Sequence, residues 1–203
     1  IDSSDDSIHS NNYIGIKSGT ITLSSGDDGI HADTELIIDS GKINIEKSYE
    51  GLESSKITIN NGEINVTSSD DGINVAGGND SSAMGRPGAN NFSSNTSNIL
   101  NINGGTIYVD SDGDGIDVNG SAYINEGNII VYGPSNGGNG ALDYDREFVI
   151  NGGTLVAGGA SGMAQGVSST SKVYNLLVNF TYCSRTLSKP RPFCPFNFRS
   201  IDL

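Results

Sequence analysis

The sequence predicts an all-β chain wound as a right-handed parallel β-helix, a solenoid of about seven coils. Three observations carry that expectation. A phrase of 21 or 22 residues is written repeatedly along the chain. Each copy holds three apolar pairs, and the members of a pair stand two residues apart. Turn residues, chiefly Asn-Gly, Gly-Gly and Asp-Gly, separate the pairs at the same place in every copy.

The glycine before the middle segment sets the period. Its copies are Gly19, Gly41, Gly62, Gly105, Gly127 and Gly153, with spacings of 22, 21, 43, 22 and 26. The 43 is one repeat plus an insertion at 77–98, and the 26 is a repeat with about four extra residues around Pro134 to Gly138. On this period the first pairs run Ile14/Ile16, Leu36/Ile38, Ile57/Ile59, Leu100/Ile102, Ala122/Ile124 and Phe148/Ile150. The second run Ile21/Leu23, Ile43/Ile45, Ile64/Val66, Ile107/Val109, Ile129/Val131 and Leu155/Ala157. The third are looser: Ile30/Ala32, Leu52/Ser54, Ile73/Val75, Ile116/Val118, Leu142/Tyr144 and Ala164/Gly166. A spacing of two is strand periodicity with one buried face. A β-sandwich of short strands would not need every pair and every Asp-Gly to recur in register. The six-residue phrasing of a left-handed β-helix is missing, and parallel crossovers favour the right hand. At roughly 4.8 Å per coil the rod is roughly 33 Å long.

In chain order, residues 1–180 form the β-helix. Residues 1–13 read as the remnant of an earlier coil, with Asp5, Asp6 and His9 where Asp27, Asp28 and His31 stand one period later. The start therefore falls partway through a coil, without a signal peptide. The insertion at 77–98 breaks all periodicity, as long functional or disordered loops do. Residues 173–180, VYNLLVNF, are expected to add one more apolar strand. Residues 181–203 are an atypical C-terminal tail with no assigned fold, holding Cys183 and Cys194 and three of the five prolines. The two cysteines could pair only in an oxidising setting.

A formal net charge of −13 disfavours nucleic acid and anionic membranes as direct partners. No apolar run is long enough to span a bilayer, so no membrane insertion is expected. The expected state is a monomer outside the cell or on a bacterial cell surface.

The chemistry gathers at the turn before the third strand. Asp27-Asp28-Gly29, Glu50-Gly51, Asp70-Asp71-Gly72 and Asp112-Gly113-Asp114-Gly115 stand there in successive coils. Stacking would align Asp28, Glu50, Asp71 and Asp114. A second outward column would hold His31, Glu53, Asn74, Asp117 and Asp143. Carboxylates about 4.8 Å apart repel by roughly 0.9 kcal/mol in water and roughly 3.5 kcal/mol at an effective dielectric of 20. Such a ladder calls for a counter-ion, and calcium, with oxygen ligands at about 2.3–2.6 Å, reaches carboxylates on two neighbouring rungs. The candidate calcium ligands are Asp27, Asp28, Glu50, Glu53, Asp70, Asp71, Asn74, Asp112, Asp114 and Asp117. The segment DSDGDG at 110–115 opens like an EF-hand, but Ser121 stands at its twelfth position, where that loop needs Glu. Tyr49, Lys47, His31 and Arg86 are candidate glycan contacts, with Tyr108 and Tyr132 as weaker ones. His9 and His31, one coil apart, are expected at solvent-exposed ladder positions rather than as a transition-metal pair.

The run KSYEGLESSKITINNGEINVTSSDDGINVAGGND at 47–80, with GRPG at 85–88 and GGTLVAGGASGMAQG at 152–166, resembles the bacterial carbohydrate-binding domain-containing protein family. The resemblance implies a calcium-bearing right-handed β-helix related to pectate lyases. It also implies binding of polygalacturonate-like acidic plant polysaccharide and of cellulose at the cell surface, without lyase chemistry. Positions matching that pattern are Asp27, Asp28, Glu50, Glu53, Asp70, Asp71, Asp112 and Asp114, and the chain departs from it after Phe180. The expected function is thus non-catalytic binding of an acidic polysaccharide through calcium. One alternative is a calcium-dependent lyase with Lys47 as its base. The other is a surface adhesin or spacer that calcium stiffens.

Overall fold

The computed structural model describes residues 1–76 and 97–178. Each coil contributes one strand to each of three parallel six-stranded sheets. The first sheet stacks β1 (Ile8–Ser10), β4 (Ile30–Ala32), β7 (Leu52–Ser54), β10 (Ile73–Val75), β13 (Ile116–Val118) and β16 (Leu142–Tyr144). The second stacks β2 (Tyr13–Ile16), β5 (Glu35–Ile38), β8 (Lys56–Ile59), β11 (Ile99–Ile102), β14 (Ser121–Ile124) and β17 (Glu147–Ile150). The third stacks β3 (Thr20–Ser24), β6 (Lys42–Lys47), β9 (Glu63–Ser68), β12 (Thr106–Ser111), β15 (Asn128–Tyr132) and β18 (Thr154–Gly158). There is no helix among the described residues. The molecule is an all-β parallel solenoid.

The register follows the apolar columns. Ile43 pairs with Ile64, Ile64 with Ile107, Ile107 with Ile129 and Ile129 with Leu155. Each side chain therefore rests on its copy in the coil below. One continuous core results, in which Ile43, Ile64, Ile107, Leu36, Ile57, Leu100, Ile73 and Ile116 are all fully buried. Burying such a side chain contributes about 1.5–3 kcal/mol. A narrow rod with few apolar residues is held together because the apolar columns of its strands point inward.

The six anchor glycines close the turn into the third sheet. All six have positive φ, from 76° to 127°, a conformation that side chains with a Cβ resist. A Cβ on Gly62 would also press on the carbonyl oxygen of Gly41. Two residues before each glycine, a second ladder climbs the corner. Asn60 donates to Asp39 Oδ1, Asn103 to Asn60 Oδ1, Asn125 to Asn103 Oδ1 and Asn151 to Asn125 Oδ1, all at 2.8 Å. Composition marks these asparagines only as turn formers; the ladder is a finding of the structure.

The described residues build six coils, with an isolated bridge from Asp2 to Ser24 below the first. Two expectations are corrected. No strand forms at Ala164/Gly166, where glycine and serine outnumber branched residues. Residues 173–178 are not a strand either; Tyr174, Leu176 and Leu177 are exposed. The last coil is instead covered by serines, Ser168 Oγ accepting from Phe148 N and Ser171 Oγ from Ile150 N. Most of the 77–98 insertion, residues 179–180 and the 181–203 tail with both cysteines lie outside the described residues.

Candidate cation and carbohydrate site

The first sheet carries the polar site on its outer side. Each of its strands has three residues, all but β16 follow an acidic turn, and the middle residue points away from the core. Pairing puts His9 on His31, His31 on Glu53, Glu53 on Asn74, Asn74 on Asp117 and Asp117 on Asp143. Asp6, Asp28, Glu50, Asp71 and Asp114 form a parallel column three residues earlier.

Backbone amides orient the turn carboxylates. Asp28 N donates to Asp6 Oδ1 at 3.0 Å, Glu50 N to Asp28 Oδ1 at 3.2 Å, Asp114 N to Asp71 Oδ1 at 2.6 Å and Gly140 N to Asp114 Oδ1 at 2.5 Å. One oxygen of each is spent on the next coil. The other is left to face its neighbours. Packed between the two columns, these groups are buried although they lie outside the core: Asp28 and Glu53 are 0% exposed, Asp71 3% and Asp117 6%.

At the far end Asp71, Asp114 and Asp117 each offer an oxygen, all within 4.8 Å of one another. Burial raises the Asp71 carboxyl well above its usual range, and the charges of Asp117, Asp70 and Asp114 raise it further. Burial likewise pushes Asp114 to about 6, against the opposing pull of the Gly140 amide, and Asp117 to about 7, with Asp114 and Asp143 adding repulsion. Asn74, 1% exposed and the register partner of Asp117, donates to Glu50 Oε2 at 2.6 Å, and its Oδ1 accepts no hydrogen bond among the described residues.

At the near end a buried imidazole stands among the carboxylates. His31 Nδ1 lies 3.4 Å from carboxylate oxygens of Asp6, Asp28 and Glu53. Burial pulls its basicity down, but hydrogen bonding and charge from Asp28 and Asp6 outweigh that and push it up to about 10. His31 is thus no solvent-exposed ladder position, as expected from the alternation, but a buried hub; His9 alone is exposed. Their rings meet edge to face at 4.8 Å.

The remaining candidates sit at the rim. Asp27 and Asp70 are half-buried and Asp112 is exposed, while Asp27 joins Asp5 and Asp6 in an acidic group. Tyr49 is half-buried; burial and a hydrogen bond to Asp70 raise its hydroxyl pKa, so its polar end is engaged with the ladder. Lys47 is exposed at the end of β6, and its side chain makes no ion pair among the described residues. Arg86 lies outside them. Tyr108 and Tyr132 stand on the third sheet instead, rings 5.3 Å apart, beside the exposed Ile130.

Fold and site together define a parallel β-solenoid with a buried column of acidic and imidazole side chains along one sheet. Residues 1–85 match the family model described as carbohydrate-binding domain-containing protein, the family the sequence resembles. The match takes in the columns from Asp6 to Asn74 and ends before Asp114 and Asp117. No curated protein and no solved structure matches the chain. The family match and the solenoid fold support carbohydrate binding.

Proposed function

We propose that the protein is a non-catalytic module that holds acidic polysaccharide, polygalacturonate-like in chemistry, through calcium on the acidic ladder, outside the cell or at its surface. The observation that carries this reading is the meeting of Asp71, Asp114 and Asp117. Two oxygens bound to one calcium ion lie up to about 5 Å apart, which their spacing satisfies. An all-oxygen set with raised carboxyl pKa values suits a hard divalent cation. Asn74 Oδ1 adds a neutral oxygen. Bound calcium would supply the positive charge that lets a uronate carboxylate approach a protein of net charge −13. Asp70 and Asp112, on the rim, would meet sugar hydroxyls, and the Tyr49 ring would stack on a sugar face.

Titration calorimetry with polygalacturonate tests this, with calcium present and after chelation. Affinity should fall steeply on chelation; equal affinity in both conditions refutes bridging. The burial of Asp71 and Asp117 favours a second reading, in which calcium is an internal strut of an adhesive rod. A calcium-dependent rise in melting temperature with no glycan bound would select it. The lyase alternative needs a base, and Lys47 is the candidate beside the ladder; release of unsaturated uronide, lost in Lys47→Ala, would establish it.

A further inference from the structure

The near end of the column has a different chemistry from the far end. Three carboxylate oxygens, Asp6 Oδ2, Asp28 Oδ2 and Glu53 Oε2, surround His31 Nδ1 at the same distance, 3.4 Å. That is longer than a good N–H···O bond, roughly 2.7–3.2 Å. It does match the edge of a tetrahedron whose metal–ligand bonds are about 2.0–2.1 Å, where ligand atoms stand about 3.3–3.4 Å apart.

Asp33 Oδ1 lies 3.5 Å from His31 Nε2, too far for a hydrogen bond, and Nε2 is buried without a hydrogen-bond partner among the described residues. A proton on Nδ1 fills the position between the three anionic oxygens in the metal-free protein, and a bound metal ion would displace it. His31, Asp28 and Glu53 side chains are 7%, 1% and 0% exposed, so bulk water cannot supply the screening. His9 Nδ1 meets Asp6 Oδ2 at 2.6 Å and fixes that carboxylate from the rim.

We propose that Asp28, His31 and Glu53, buried and with ligand atoms within 4.8 Å of one another, form a second site for a borderline divalent transition ion of the zinc class, with Asp6 and His9, which group with His31 separately, as positioning residues. One imidazole among carboxylates departs from the all-oxygen sets that calcium takes, and imidazole suits zinc and its neighbours. The two ends of one column thereby sort two kinds of ion. This inference does not depend on glycan binding.

The test uses the chain stripped with a chelator and then offered Zn²⁺ alone, with Co²⁺ as a spectroscopic stand-in. One zinc should bind near neutral pH and resist calcium in about a hundredfold excess. Co²⁺ should show the intense visible bands of four-coordination, and zinc should remove the proton from His31 Nδ1 in ¹⁵N spectra. His9→Ala, at an exposed position, should keep the fold and weaken zinc by about 10–100-fold. His31→Gln should abolish it, and Asp114→Asn should leave it unchanged. Zinc affinity unaltered in His9→Ala and His31→Gln, displacement by calcium, or an Nδ1 proton that persists in excess zinc would each overturn the proposal. In the last case the cluster is an ion-pair hub only.

Discussion

Asp114 donates its backbone N–H to Asp71 Oδ1 at 2.6 Å across 43 residues of sequence. Two like charges are thus brought together by the bond that stacks their coils. The same carboxylate is a structural acceptor through one oxygen and a source of repulsion through the other.

That dual role separates two substitutions. Asp114→Asn keeps an oxygen for the Gly140 amide and removes a charge, so the chelated protein should gain about 1–3 kcal/mol while its response to calcium disappears. Asp71→Ala also removes the acceptor for Asp114 N and should instead lose about 1–3 kcal/mol. Urea melts with and without calcium read both.

The anchor glycines offer a controlled comparison. Gly62→Ala forces a side chain onto φ +127° and against Gly41 O, and should cost about 1–3 kcal/mol of strain plus the clash. Gly19, at φ +117°, has nothing within 4 Å of its would-be Cβ. Gly19→Ala should therefore cost clearly less in the same melt.

Those glycines are also the most legible feature of the sequence. Their period, together with apolar pairs two apart, sets the three sheets and the register, because a solenoid demands the same backbone at the same place in every coil. The acidic columns are legible for the same reason. Less so is their burial: alternation marks His31 and Glu53 as outward, but the neighbouring column closes over them. The expected strand at 173–180 rests on apolar residues alone, and the described part lacks the turn glycine that every true coil has. The asparagine ladder does have a signal in the sequence, namely Asn60, Asn103, Asn125 and Asn151, each two residues before an anchor.

That ladder should be cooperative but modest. Asn103 donates to Asn60 and accepts from Asn125, and it is exposed, so water takes over part of each lost bond. Asn103→Ala should cost about 1–2 kcal/mol for the pair. Replacement of a buried neighbour, Ile107→Ala, should cost about 2–5 kcal/mol, and the ratio of the two measures how far the core outweighs the corner.

The acidic triad also sets how the metal-free protein answers pH. Asp114 and Asp117 titrate near 6 and near 7, and Asp71 is raised as well, against about 3.9 in an unfolded chain. Between these limits the folded state holds more protons than the unfolded one, so stability must fall as pH rises from about 4 to about 7. The groups facing the triad, Asp70, Asp143 and Asp145, are all acidic and act in the same sense. A tenfold difference in proton affinity between the two states corresponds to about 1.4 kcal/mol, which makes the slope measurable in urea melts of chelated protein. Calcium should flatten the profile by replacing the protons, and Asp117→Asn should flatten it without calcium. A chelated protein whose stability rises across this range would show that the three carboxylates do not share one buried site.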